Sequence, residues 1–153
     1  MKKILFINPA YRTNLLDNVR VLALPPLNLM MLAAYTPDSY EIQIVDEIFE
    51  DVDFDAAVDL VAITCMTPLA PRAYAISREY RNRGVKVVLG GIHVSMVPEE
   101  AQLFADAIVV GEAEEVWPAL LRDFDNGRMQ KQYQAVTRPD LVKLRPPRRD
   151  LLR

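Results

Sequence analysis

Val85-Lys86-Val87-Val88-Leu89-Gly90-Gly91-Ile92-His93 is the stretch that sets the architecture of this chain. Its first five residues are apolar apart from one lysine and rich in valine, the composition of a strand buried on both faces. Two glycines follow where the chain must leave a sheet. They remove two Cβ atoms at the carboxyl end of a central parallel strand, the edge at which open α/β sheets bind ligands. The pair either makes only a tight β-to-α turn or contributes to a ligand-binding edge. The other strand ends decide between these.

Working upstream, Arg72 to Arg83 has the period of an amphipathic helix, with Ala73, Ile76 and Tyr80 on one face and Arg78, Glu79 and Arg81 on the other. Gly84 is its stop. Before it, Asp59 to Ile63 reads as a buried strand running into Thr64-Cys65-Met66-Thr67-Pro68. Small hydroxyls in such a place can donate to a phosphate, ribose or amide while allowing close approach. Downstream, Pro98-Glu99-Glu100 opens a helix through Phe104, its acids favourably placed against the helix dipole. Asp106 to Val110 is a further strand with a glycine exit, Gly111, and Glu112-Ala113-Glu114-Glu115 leads into an amphipathic helix ending near Phe124. Glu112 is either a polar contact for a ligand or a simple helix-start acid. Lys131 to Val136 has the look of a short terminal strand.

At the start of the chain, Lys3 to Ile7 reads as a central strand and Asn8 to Asn14 as a loop that continues toward Ala23. That loop lacks the Gly, Ser and Thr of a flavodoxin phosphate site, the paired carboxylates of a phosphorylatable receiver, and a glycine-rich dinucleotide fingerprint. Pro25-Pro26 precedes a short apolar helix, Leu27 to Tyr35, stopped by Thr36-Pro37-Asp38. The Pro-Pro-Leu corner either only starts this helix or also lines a cofactor face. Glu41 to Val45 alternates as a half-exposed outer strand, Asp46 is a strand-end turn acid, and Glu47 to Asp59 is a solvated loop with at most one helical turn.

At 153 residues, 51% hydrophobic and 25% charged, the composition is that of one globular domain with a real core. A net charge of −3 gives no electrostatic reason to expect nucleic acid or an anionic membrane. No apolar run reaches the roughly 20 residues of a spanning helix, and Asn8-Pro9 interrupts any signal-peptide core, so a cytoplasmic location is expected. Cys65 and His93 are the only cysteine and the only histidine. They cannot make an internal disulfide, a zinc cage or a full iron–sulfur ligand set. Alternating strands and helices predict an α/β, Rossmann-like (flavodoxin-like) three-layer sandwich. Its expected core is a five-stranded parallel sheet of order 2-1-3-4-5, with a ligand crevice at the switch point between strands one and three. The expected domain is 1–136. From Thr137 the proline- and arginine-rich segment 137–153 reads as a linker in which a fragment ends.

Taken together, Asn8-Pro9, Pro25-Pro26-Leu27, Thr64-Cys65-Met66-Thr67, Gly90-Gly91-Ile92-His93 with Pro98-Glu99-Glu100, and Gly111-Glu112-Ala113-Glu114 resemble the N-terminal domain of cobalamin-dependent radical S-adenosylmethionine enzymes. The likeness extends to Pro147-Arg148-Arg149-Asp150, which in that family leads into a radical barrel. The resemblance implies that the dimethylbenzimidazole tail of cobalamin enters the crevice near Thr64, Gly90 and Gly91, with Gly111 and Glu112 one strand further on. It implies a corrin lying over the carboxyl edge, touching the loops at Asn8, Pro9 and Tyr11, at Met66 and Thr67, and at Pro26 and Leu27. Related cobalamin folds place a cobalt-ligating histidine after strand one. No histidine occurs there, so the resemblance implies base-off cobalamin without a protein histidine ligand.

His93 follows the fourth strand and is expected to hydrogen-bond a loop carbonyl or the nucleotide tail. Cys65 is expected to form a wall of the tail pocket. No metal ligand and no catalytic residue is assigned within the chain. The full-length enzyme would add the barrel, a 4Fe-4S cluster and S-adenosylmethionine, for methyl transfer or for a ring closure like that of magnesium-protoporphyrin ester cyclases. Two alternatives stand beside this: a flavodoxin-like flavin or nucleotide binder, and a ligand-free interaction module dimerising through exposed Leu and Met.

Overall fold

The computed structural model describes residues 1–11, 24–137 and 139–152. The strands are β1 (Lys2–Asn8), β2 (Tyr40–Asp46), β3 (Leu60–Thr64), β4 (Lys86–Gly90), β5 (Ala107–Val110) and β6 (Gln132–Gln134). The helices are α1 (Leu27–Ala34), α2 (Ala70–Asn82), α3 (Ile92–Met96), α4 (Pro98–Gln102) and α5 (Trp117–Asp125). All strand pairs are parallel, in the order β2-β1-β3-β4-β5-β6. The sheet therefore has six strands and not the expected five, because the segment around Tyr133 pairs with β5. The loop read from Asn8 to Asn14 leaves the described residues at Arg12, and its continuation to Ala23 lies outside them.

Strand parity splits the core into two layers. Ile4, Phe6, Leu60, Ala62, Val88, Ala107 and Val109 face α1 and α5, whereas Leu5, Ile7, Val61, Ile63, Val87, Leu89 and Ile108 face α2, α3 and α4. Each fully buried large apolar side chain is worth about 1.5–3 kcal/mol over its exposed state. Trp117 fills the space between α5 and the sheet. It is fully buried, its ring centroid lies 5.7 Å from that of Phe6, and its indole nitrogen donates to Thr36 Oγ1 at 2.9 Å. The indole thus keeps its apolar surface dry without stranding its one donor.

The last crossover is unusual. Between β1 and β2, helix α1 lies on one face of the sheet, and β2 stands on one side of β1. From β5 the chain passes over the same face, through α5, to reach β6 on the other side. These two connections have opposite hand. The β3-to-β4 and β4-to-β5 crossovers run on the other face and share the hand of the first. Parallel crossovers are overwhelmingly of one hand, so a sixth strand beside β5 was the least expected continuation.

Smaller departures have local causes. Helix α2 begins at Ala70, two residues early, because Pro71 fits a first helical turn, where no backbone donor is needed. The chain leaving Gly91 coils at once into α3. The described segment 139–152 has only two short 3-10 turns, Leu141–Lys143 and Arg149–Leu151, but it is docked. Arg148 N donates to Met30 O at 3.1 Å, and Arg145 Nη1 to Ala34 O at 3.0 Å. The Arg145 guanidinium stands 5.3 Å from the Tyr35 ring centroid, while Leu151 and Leu152 pack on the α1/α5 core. No helix among the described residues is long and apolar enough to cross a membrane.

Tyr133 is the buried residue of β6, and its hydroxyl donates to Asp123 Oδ2 at 2.9 Å. Tyr133→Ala should cost about 3 kcal/mol in urea denaturation, whereas Val136→Ala, at a position 97% exposed, should stay within about 0.5 kcal/mol. Equally small effects would mean that β6 contributes nothing to the folded sheet.

Candidate functional site

The carboxyl ends of β3 and β4 are locked together by backbone. Thr64 pairs with Gly90 in the register of the sheet. Cys65 N donates to Gly90 O at 2.8 Å, and His93 N donates to Cys65 O at 3.1 Å. Gly91 lies between them at φ +100°, where a Cβ would sit 2.9 Å from both the backbone N and the backbone O of Cys65. Only glycine fits there, on dihedral grounds and on contact grounds. Ser95 carries the connection to the next strand. Its hydroxyl donates to Gly91 O at 3.1 Å and accepts from Gly111 N at 2.9 Å.

A half-open cavity of about 130 Å³ lies on the α1/α5 face of these strand ends. Its floor is apolar, formed by Ala62, Val88, Val109, Leu29, Leu32 and Trp117, and its mouth is polar, formed by Asn28, Thr64, Glu112 and Glu114 beside Gly90, Gly91 and Gly111. An apolar cavity of ~150 Å³ admits a benzene-sized ring, and this one is of similar size, apolar at its floor and open at its mouth. The Asn28 amide braces that mouth. Its Nδ2 donates to Thr64 Oγ1 at 2.6 Å and its Oδ1 accepts from Leu29 N at 3.0 Å. Glu114 Oε2, on the cavity wall, is buried without a hydrogen-bond partner among the described residues.

Of the residues singled out from sequence, Thr64, Gly90, Gly91, Gly111 and Glu112 lie on this cavity. The others do not. Asn8 sits at the end of β1, where its Nδ2 donates to Asp46 Oδ1 at 3.1 Å, and Pro9 is buried beside it. Tyr11 lines a separate polar cleft with Glu47, Asp51 and Arg72. Pro26 is buried in a hollow shared with Ile44, Phe49 and Leu152. Leu27 and Met66 are exposed, and Thr67 starts a short 3-10 turn after β3. Leu27, Phe49, Met66 and Ile92, which follow the carboxyl ends of β1, β2, β3 and β4, leave an apolar fringe along that edge. Asn28, Leu32 and Trp117 are cavity residues that the sequence did not mark, and Glu114, quoted within the Gly111-Glu112-Ala113-Glu114 motif, was not assigned to the site.

Cys65 belongs to the opposite layer. Thr64 shares parity with Leu60 and Ala62 and points toward the cavity, so Cys65 points toward α2, where it is fully buried. Burial, reinforced by the nearby Glu100 charge, pushes its thiol up to about 11. His93 is 8% exposed; Nε2 lies 3.0 Å from Tyr74 Oη and 3.5 Å from Glu100 Oε1, and Nδ1 lies 3.3 Å from Thr67 Oγ1. Tyr74 in turn donates to Glu100 Oε1 at 2.9 Å. Burial first, and that hydrogen bond second, hold the Tyr74 phenol well above its ordinary value. No group of three or more possible metal-ligating side chains occurs among the described residues.

The B12 binding domain family model matches residues 14–121, and the chain belongs to that family. It is 44% identical over 119 residues to the bacteriochlorophyllide d C-8(2)-methyltransferase of Chlorobaculum tepidum, covering 77% of this chain and 26% of that protein. It is 32% identical over 149 residues to the bacteriochlorophyllide d C-12(1)-methyltransferase of the same organism, covering 95% of this chain and 32% of that protein. The chain thus spans between a quarter and a third of the length of these relatives. Among solved structures, the cobalamin-dependent S-adenosylmethionine radical enzyme OxsB with aqua-cobalamin bound superposes with a TM-score of 0.61 at 14% identity, over 85% of this chain and 19% of that one. That last likeness is one of fold.

Gly91→Ala should destabilise the protein by about 3 kcal/mol in chemical denaturation, since strain and a backbone clash act together. Gly111→Ala, also at positive φ but with nothing within 4 Å of its Cβ, should cost about 1 kcal/mol. A Gly91→Ala protein as stable as the parent would remove the case for the close approach. At pH 8 the native Cys65 thiol, below its raised titration range, should resist a disulfide reagent that labels it fully in denaturant.

Proposed function

We propose that this domain holds cobalamin base-off, without a protein histidine beneath the cobalt, as the N-terminal part of a radical S-adenosylmethionine methyltransferase. The observation that carries this is the cavity at the β3–β5 ends: an apolar floor, glycines without side chains at Gly90, Gly91 and Gly111, and a polar mouth. The residues fit the group. The benzimidazole would rest on Ala62, Val88, Val109 and Trp117, and the nucleotide tail would leave past Thr64 and Glu112. The corrin would lie over the exposed fringe of Leu27, Met66 and Ile92, with the β1 loop at Asn8, Pro9 and Tyr11 at its border. Bound cobalamin would supply a cobalt competent for methyl transfer. The chain itself binds the cofactor, orients it and keeps water from its buried tail.

The base-off assignment is supported by the one histidine, which is buried on the far face of the sheet with both ring nitrogens beside hydroxyls. Methyl transfer, rather than ring closure, is supported by the two Chlorobaculum relatives, both methyltransferases by name. The partner barrel, with its 4Fe-4S cluster and S-adenosylmethionine, is supported by the greater length of those relatives and by the radical S-adenosylmethionine character of OxsB, whose fold this chain shares. The domain boundary near residue 136 and the cytoplasmic setting belong to this proposal as well.

Titration with hydroxocobalamin should give a base-off corrin spectrum that survives gel filtration. An unperturbed spectrum that washes away overturns the proposal, a base-on spectrum overturns the axial assignment, and retained flavin mononucleotide would favour a flavodoxin-like binder. Leu32→Trp, at a partly buried position of the apolar floor, fills the cavity. It should weaken cobalamin binding about tenfold or more while changing stability by about 1 kcal/mol or less.

A further inference from the structure

Glu114 Oε2 has less than 1 Å² of exposure and no hydrogen-bond partner among the described residues, and its side chain lines the cavity. A buried acceptor left unsatisfied keeps its full desolvation penalty, so native proteins rarely retain one unless something else fills the bond. The other polar groups at the mouth are differently placed. The Asn28 amide is committed to Thr64 and to Leu29 N, and Glu112 is exposed. That oxygen is closed to a water-sized group as the side chain stands, so a ligand hydroxyl reaches it when the carboxylate turns toward the cavity that Glu114 lines, a turn that breaks no existing hydrogen bond of that oxygen.

Resting on the cobalamin reading above, we infer that Glu114 selects the nucleotide tail by accepting a hydrogen bond from its ribose. The chemistry of the tail leaves one kind of donor. The ribose-linked benzimidazole has no N–H at neutral pH, the phosphate diester offers only acceptors and a negative charge that a carboxylate would repel, and the ribose carries free hydroxyls. The corrin amides also carry donors, but they remain in a corrinoid that lacks the nucleotide. Glu114 is thus a specificity residue, distinguishing corrinoids that carry the tail from those that do not.

The test is a spectroscopic titration of the parent chain, Glu114→Ala and Glu114→Gln with cobalamin and with cobinamide, which keeps the corrin and lacks the nucleotide. Glu114→Ala should weaken cobalamin about tenfold or more and leave cobinamide within about twofold. Glu114→Gln, which keeps an acceptor oxygen, should lose less. The melting temperature of the ligand-free Glu114→Ala protein should be unchanged or higher, since the change removes an unsatisfied buried oxygen. Equal weakening of both corrinoids, no weakening of cobalamin, or a lower ligand-free melting temperature each overturns the inference. A parent chain that binds neither corrinoid overturns the cobalamin reading itself, a result visible before any variant is compared.

Discussion

The structure depends on one close approach, that of Gly91 to the backbone of Cys65. With a hydrogen on each side of its α-carbon, Gly91 lets the exits of β3 and β4 touch. Two short hydrogen-bonded links, Cys65 N to Gly90 O and His93 N to Cys65 O, close the contact. Everything on the ligand side follows from this. The strands end together, Thr64 stands at the same height as Gly90, and the space above Ala62 and Val88 stays free of side chains. A side chain at Gly91 would force the two exits apart, and the wall of the cavity would go with them.

Much of the sheet was legible because its signals are strong and local. Apolar runs of four or five residues marked β1, β3, β4 and β5, the alternation from Glu41 to Val45 marked β2, and the helices between them required a parallel order. The sixth strand was harder to place for two reasons. Gln132–Gln134 has a single inward residue, which carries no periodicity, and its crossover has the hand that topology rules disfavour. Helix α3 was missed because five residues wound directly off a positive-φ glycine leave no capping signature. The docking of the Pro-rich terminal segment left no pattern in sequence, because it uses backbone groups, arginine and two leucines at its end.

The site was legible at the strand ends and much less so on the helices. Thr64, Gly90, Gly91, Gly111 and Glu112 are strand-exit residues, and a shared sheet edge brings them together. Counting strand parity would have separated Thr64 from Cys65, since alternate residues face opposite layers. Asn28 did carry a signal: it is the one polar side chain in Leu27-Asn28-Leu29-Met30-Met31-Leu32. Trp117 gave none, because a tryptophan on an amphipathic helix is ordinarily core. The unsatisfied oxygen of Glu114 is a property of packing, and it cannot be read from the acids around it in the sequence.

Helix α1 has eight residues and no side-chain cap at its start, well short of the roughly 12–15 residues at which an isolated helix becomes even marginal in water. It persists because it is held from two directions, by the sheet under Leu29, Met30 and Ala33 and by Arg145 and Arg148 gripping the carbonyls of Ala34 and Met30 from outside. One wall of the cavity is therefore a sandwich filling with no independent existence. Peeling the arginine strap from its outer side would soften the inner side, where Asn28 meets Thr64.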